Sequence, residues 1–174
     1  MTRTLAALLL LVPALALGAP PRPEVVPPPE IAGPIIGPVS TSRTGEFGGR
    51  KLRYTATFQE RALNGPEGRA IATLSATSYV LDGAAKESRP VLVAFNGGPG
   101  ASSSPLHFGA FGPMRQERRP DGTRAMVPNP ASLLPHADLV FVDPVGTGFS
   151  RVLPGGSGKP FWTADGDARA VLDF

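Results

Sequence analysis

A glycine-rich stretch contains the first residues that could do chemistry. It reads Asn96-Gly97-Gly98-Pro99-Gly100-Ala101-Ser102-Ser103-Ser104 and directly follows the apolar run Val91–Phe95. Because glycines leave backbone amides uncovered, a substrate can approach those amides closely. Amides aimed at one point can stabilise a developing oxyanion by several kcal/mol. The same stretch also suits a tight turn that needs only a permissive backbone, and taken alone it does not distinguish the two.

A second motif follows the next apolar run, Leu139–Val142. It reads Asp143-Pro144-Val145-Gly146-Thr147-Gly148-Phe149-Ser150, with Gly109–Pro113 and Asn129–Leu134 between the two motifs. In this order the motifs resemble the serine carboxypeptidase family, over residues from about Arg89 to Arg151. The likeness is to bacterial, cysteine-free members. The chain departs from the family pattern at Ala94 and Ala101, where many members have tryptophan and cysteine.

The resemblance implies a role for each matching residue. Gly98 corresponds to the glycine whose amide helps to form the oxyanion hole. Asn96 and the Gly97 amide correspond to groups that hold the terminal carboxylate of the substrate, a charge-assisted contact that would select chain ends. The loop Asp143–Ser150 would line the same cleft and shape it, without taking part in the reaction.

The triad itself has no counterpart in these 174 residues. Family members carry the nucleophile in a Gly-x-Ser-x-Gly elbow, followed by aspartate and histidine, and this chain has no such elbow. We therefore expect an N-terminal fragment that is inactive alone, with the elbow just beyond the helix that begins at Ala164. The whole enzyme would hydrolyse C-terminal peptide bonds of peptides or proteins through an acyl-enzyme, with no metal or cofactor.

Two other classes of protein remain open at this point. One is a different α/β-hydrolase, such as an esterase or a proline iminopeptidase, although these typically place histidine before the glycines where this chain has Asn96. The other is a secreted, non-catalytic binding module built from the sheet alone.

Several residues invite a chemical role that their context does not support. Ser102–Ser104 lie near His107, but a nucleophile needs a base held in hydrogen-bonding geometry, so we expect turn or helix-start roles. His107 and His136 form no metal-ligand pattern, and we interpret both as structural or exposed. Gly155–Lys159 lacks the first glycine and the final Ser or Thr of a phosphate loop, which predicts a surface turn.

Composition excludes further functions. The net charge is +3, from scattered basic residues rather than a stripe interleaved with aromatics, so we expect no nucleic-acid partner. The chain has no cysteine, which removes disulfides, thiolate metal sites and a cysteine nucleophile.

The elements that must position the two motifs are readable from periodicity. Within Lys51–Arg61 every second residue on one face is apolar, which predicts a half-buried strand. Ala70–Leu81 is predicted to be its antiparallel partner across a turn at 64–68. The runs Val91–Phe95 and Leu139–Val142 are apolar on both faces, which favours central strands covered by helices. The predicted class is α/β: a partial α/β-hydrolase-type fold, with an N-terminal antiparallel hairpin and central strands that lead into Gly-rich active-site loops.

A helix is predicted at the end of the chain. Thr163 is a suitable N-cap, and acidic residues lie in the first turn. Ala168, Val171 and Leu172 form an apolar stripe at helical spacing. The pattern continues to Phe174 without a stop signal, in keeping with the expected fragment.

The N-terminus is typical of an exported protein. Arg3 precedes an apolar run, Leu5–Leu17, and small residues at Ala16 and Gly18 suit signal-peptide cleavage. The run is shorter than the roughly 20 residues of a membrane span, so we expect no stable membrane insertion; an uncleaved anchor helix is the alternative. Eight prolines between 19 and 39 block regular ladders. The predicted organisation is a signal peptide at 1–18, a Pro-rich tether at 19–49 and the catalytic-domain part at 50–174.

Export can be tested directly. We expect the protein recovered outside the cytoplasm, in the periplasm or the medium, to begin near Ala19, because cleavage after Gly18 satisfies the small-residue rule. N-terminal sequencing of that protein is the measurement. A soluble exported product that retains Met1 would contradict the prediction.

Overall fold

A computed structural model describes residues 31–85, 88–97 and 100–174. The signal peptide at 1–18 and most of the Pro-rich stretch lie outside the described residues. The strands are β1 (Val39–Phe47), β2 (Arg50–Asn64), β3 (Ala70–Leu81), β4 (Val91–Phe95), β5 (Met114–Arg118), β6 (Arg124–Pro128) and β7 (Asp138–Asp143). The helical segments are α1 (Ser104–Leu106), a π-turn (His107–Phe111), a 3₁₀ turn (Lys159–Phe161) and α2 (Ala164–Asp173).

Five strands form one mixed sheet in the order β1-β2-β3-β7-β4. The pairs β1/β2, β2/β3 and β3/β7 are antiparallel, whereas β4 and β7 are parallel. β5 and β6 pair separately as a small hairpin. The architecture is thus α/β-like but mostly strand, and the predicted hairpin of β2 and β3 is confirmed.

The core lies on both faces of the sheet, as the alternation along β7 shows. Leu139 and Phe141 pack on one face with Tyr79 and Tyr54. Val142, on the other face, packs with a second cluster that includes Leu74 and Ala170. Because both faces of β7 are covered, β7 is the buried strand that its wholly apolar run predicts.

β4 is an edge strand, which corrects the prediction that it is central. Within the part of the chain that the structure describes, its one sheet neighbour is β7. Val91, Val93 and Phe95 are 62%, 49% and 45% exposed, while Ala94 on the opposite face is buried. An apolar run predicts a strand, but it does not show whether other elements cover both faces of that strand or where the strand lies in the sheet.

β1 was not predicted, because its residues fall within the range assigned to the tether. The eight prolines end at Pro38, and β1 starts at the next residue. Gly48 and Gly49 both have positive φ, +56° and +74°, as a two-residue hairpin turn requires. Only Phe47 of β1 is buried, so the strand lacks the apolar alternation that would have revealed it.

α2 begins as predicted but buries a different face. The Thr163 side chain accepts a hydrogen bond from the Gly166 amide at 3.0 Å, which caps the helix. The buried residue of α2 is Ala170. Of the predicted stripe, Val171 is partly buried against the same core cluster, whereas Ala168 and Leu172 are exposed, Leu172 by 84%. No helix in the described part of the chain has the length and hydropathy that crossing a bilayer requires.

The buried face of α2 can be tested with one substitution made at two positions. Ala170→Asn should destabilise the fold by roughly 2–4 kcal/mol, because it overfills a packed site and buries an unpaired amide. Leu172→Asn should cost under about 1 kcal/mol, as at most exposed sites. Urea unfolding measures both. If Leu172→Asn were the costlier change, the stripe predicted from the sequence would be the buried one.

Candidate active site

The two motif loops leave the sheet at the same edge. β4 and β7 are parallel, and Phe95 pairs with Val142 in register. Both strands therefore end side by side, where loops at the carboxyl ends of parallel strands form ligand sites. The glycine-rich loop follows β4, and the loop at 143–150 follows β7.

The carboxylate of Asp143 joins these loops. Its Oδ1 accepts hydrogen bonds from the Ser103 backbone N–H and from the Ser103 hydroxyl, each at 2.8 Å. Its Oδ2 accepts a weaker bond from the Phe149 N–H at 3.3 Å. One side chain thus holds the end of the glycine-rich loop and the far end of its own loop.

Gly148 is required beside that carboxylate. A Cβ atom at this position would lie 1.9 Å from Asp143 Oδ2, which is far inside van der Waals contact. Its φ of +53° is also a conformation that side chains disfavour. The motif therefore needs glycine here for close packing as well as for the turn.

Ser150 anchors the second loop to the sheet. Its hydroxyl donates to the Asp143 carbonyl at 2.6 Å and accepts from the Ser75 backbone N–H at 2.8 Å. Both serines are buried. The loop at 143–150 is thus tied down at its start, by Asp143, and at its end, by Ser150.

Asn96 closes the glycine-rich loop. Its Nδ2 donates to the Ser102 carbonyl at 3.3 Å, and its Oδ1 accepts the Gly97 N–H at 3.0 Å. The Gly97 amide is thus engaged by its neighbour rather than directed at a ligand. Gly98, the predicted oxyanion residue, lies outside the described residues, as does Pro99.

A cleft of about 440 Å³ lies between the two loops and the start of α2. Gly97 and Gly100 line it from the first loop, and Pro144 and Val145 line it from the second. Trp162 forms another wall and donates its indole N–H to the Val145 carbonyl at 3.1 Å. The structure therefore brings both motifs to one largely apolar cleft.

Asp167 is the ionisable group of this cleft. Its Oδ1 is buried without a hydrogen-bond partner among the described residues. Burial raises the pKa of the Asp167 carboxyl above its usual value, because a low-dielectric surrounding disfavours the charged form.

The serines at 102–104 do not form a catalytic serine–histidine pair with His107. The Ser103 hydroxyl donates to Asp143, and His107 Nε2 lies 2.6 Å from the Tyr79 hydroxyl. The imidazole is buried and stacks on Phe141, with ring centroids 4.3 Å apart. His107 is thus structural, as expected, and Ser103 stands at the N-cap position of α1.

The other discounted residues also lie where the sequence suggested. His136 is exposed, and Gly155–Lys159 forms a turn in which the Gly156 N–H donates to the Leu153 carbonyl. Within residues 31–85, 88–97 and 100–174, no cluster of three or more His, Asp or Glu side chains could hold a metal ion.

Motif reasoning gave the loop of Asp143 and Ser150 only a shaping role and Ser103 a turn or helix-start role, and it did not predict the contacts that join them. The acidic residue that ends a buried strand was the available signal, since such a carboxylate needs donors nearby. Which donors it finds depends on the parallel pairing of β4 with β7, and this is a tertiary property.

Residues 79–159 match the family model of the serine carboxypeptidases. The matched segment runs from the end of β3 to Lys159 and includes both motif loops; it is slightly less than half of the chain. No curated protein matches the chain. The resemblance seen in the motifs is thus confirmed for this segment, which at the level of the family supports a hydrolase that acts on peptide bonds.

The buried histidine predicts a pH dependence of stability. Burial lowers the pKa of His107 from 6.5 to about 4, against a smaller opposing effect of the Asp143 charge. The unfolded chain therefore binds more protons between these two values, so stability should fall as pH drops from 6.5 towards 4, by an amount on the order of 3 kcal/mol. Urea unfolding across this range measures the slope.

Two variants distinguish burial of His107 from its hydrogen bond to Tyr79 as the cause of this pH dependence. His107→Gln should remove the histidine contribution. Tyr79→Phe removes the hydrogen bond to Nε2 but keeps the burial, which is the main cause, so the slope should persist. A slope that survives His107→Gln unchanged would show that another group carries it.

Proposed function

We propose that this chain supplies the oxyanion-binding and carboxylate-binding part of a serine carboxypeptidase. The observation that carries the proposal is that both family motifs line one cleft, and the Asp143 carboxylate holds the two motif loops together. The reaction would be hydrolysis of C-terminal peptide bonds through an acyl-enzyme. The parallel pair β4/β7, with loops at its carboxyl ends, would then be part of an α/β-hydrolase sheet.

Gly98 is proposed as the donor of one oxyanion-hole amide. It follows β4 by three residues, and its neighbours Gly97 and Gly100 line the cleft. Gly100 has a φ of +109°, so the loop turns in a way that a side chain would resist. A glycine has no side chain of its own to cover its amide, so the Gly98 N–H would be able to face the carbonyl oxygen that becomes negative.

Asn96 and Gly97 are proposed to hold the terminal carboxylate of the substrate. The Asn96 amide carries two N–H groups, and the bond to Ser102 uses one of them. The Gly97 N–H would exchange its neutral acceptor, Asn96 Oδ1, for the substrate carboxylate. A charged acceptor forms the stronger hydrogen bond, so the exchange is favourable once the substrate is bound.

We do not assign the nucleophile or the general base to any residue of this chain. None of the 174 residues forms a Gly-x-Ser-x-Gly elbow, and the Ser103 and His107 side chains are engaged elsewhere. Oxyanion donors without a nucleophile give only a residual acceleration. Complete activity therefore needs an elbow serine from further sequence, and the enzyme would work outside the cytoplasm.

The two roles in Asn96-Gly97-Gly98 predict different kinetics in a longer protein that contains this chain and the elbow. Asn96→Ala should cost about 1.5–3 kcal/mol in kcat/KM for peptides with a free C-terminus, because it removes a donor to a charged group. Matched C-terminal amides should lose much less. Gly98→Ala should lower kcat for both substrates, since its amide acts mainly in the transition state.

The controls use the same assay. Residues 1–174 alone should release no C-terminal amino acid, and activity that depends on Ser102, Ser103 or Ser104 would overturn the assignment. Equal losses on free acids and amides in Asn96→Ala would mean that the loop is a general hydrolase turn without a carboxylate site.

A further inference from the structure

The Arg151 guanidinium is buried at the end of the second motif loop, and all five of its N–H groups have acceptors. Two of them donate to the carboxylate of Glu60, each at 3.2 Å. The others donate to main-chain carbonyls of residues 31–36, here called the N-terminal arm: Ile31 at 3.0 Å, Gly33 at 3.2 Å and Pro34 at 2.6 Å. The planar donor fork of arginine suits this arrangement, which lysine could not reproduce.

Glu60 holds the same arm from the other side. Its Oε2 accepts the Ile36 N–H at 2.8 Å, and its backbone N–H donates to the Ile36 carbonyl at 2.8 Å. The side chains of the arm contribute little burial, because Ile31, Ile35 and Ile36 are all at least 40% exposed. The arm is therefore attached mainly through polar main-chain contacts with Glu60 and Arg151.

Arg151 also belongs to the framework of the site. It directly follows Ser150, whose hydroxyl holds the Asp143 carbonyl. The Arg151 carbonyl accepts the Thr73 N–H at 2.8 Å, which keeps this segment in register with β3. The same residue thus contacts the N-terminal arm through its side chain and the site loop through its backbone.

We infer that Arg151 is a positioning residue that couples the N-terminal arm to the loop at 143–150. With the arm in place, the guanidinium has acceptors on two sides and the backbone at Ser150 is held. When the arm leaves, three donors lose their acceptors in a buried place, and the loop that carries Asp143 becomes easier to open. The arm thereby controls how well the two motif loops stay together.

The chain contains a reporter of this coupling. Trp162 is its single tryptophan, and the indole N–H is bonded to the Val145 carbonyl of the site loop. Opening of the loop should make Trp162 more accessible to a soluble quencher. The Gly146 and Phe149 amides, bonded within the loop, report the same opening by hydrogen exchange.

A pair of glycines allows the arm to be disturbed without changing a buried side chain. Gly33 has a φ of +144°, which a side chain resists, and it lies beside Arg151 Nη1. Gly37 has no such φ and no atom within 4 Å of an added Cβ. Gly33→Val should make the Gly146 and Phe149 amides exchange roughly tenfold faster and increase acrylamide quenching of Trp162. The matched control Gly37→Val should leave both unchanged.

A second set of variants tests whether Arg151 transmits the effect. Arg151→Lys should reproduce the faster exchange, and adding Gly33→Val to it should bring little further change, because the two act through one contact. Arg89→Lys, at the partly buried ion pair with Asp138, should leave the loop amides unaffected. The inference is overturned if Gly33→Val frees the arm to proteolysis without altering exchange at Gly146 and Phe149. It is equally overturned if the effects of Gly33→Val and Arg151→Lys simply add.

Discussion

The Asp143 carboxylate accepts hydrogen bonds from two loops that are far apart in sequence, and this contact holds the two motif loops together. Ser103 donates both its backbone N–H and its hydroxyl, and Phe149 donates from the other side. An ionised carboxylate is an acceptor at all its positions, whereas asparagine would present an N–H₂ group to donors. A charge at this place therefore suits the three donors better than any neutral side chain of the same size.

The sheet is built so that this contact is possible. β4 and β7 run parallel, so both loops start at the same edge. β7 is held on its other side by β3, and Ser75 of β3 reaches the loop through Ser150. The position of Asp143 is thus determined by the buried strand before it and by a serine anchored to the neighbouring strand after it.

Much of this arrangement could be predicted from residues, and the exceptions have physical reasons. The bounds of β3 and β4, and the capped start of α2, follow from alternation, apolar runs and Thr163. The edge position of β4 and the buried face of α2 depend on neighbours, so periodicity did not reveal them. β1 is almost wholly exposed and lacks alternation, and the contact of Arg151 with Glu60 joins residues 91 positions apart. Gly98 and the signal peptide remain predictions.

Three polar side chains of the two motif loops bond mainly to main-chain groups. Asn96 bonds the Ser102 carbonyl, Asp143 bonds the backbone N–H and the hydroxyl of Ser103, and Ser150 bonds the Asp143 carbonyl and the Ser75 N–H of β3. Buried His107 is neutral near pH 7, since burial lowers its pKa to about 4, so it adds no charge beneath the site. Under the proposed function these loops would offer a substrate backbone N–H groups, of which the Gly97 N–H is bonded to Asn96 Oδ1 until a substrate replaces that acceptor. Donors aimed by a rigid loop stabilise an oxyanion without reorganising during the reaction, so a change at Asp143 or Ser150 would affect this proposed role through the geometry of the loops.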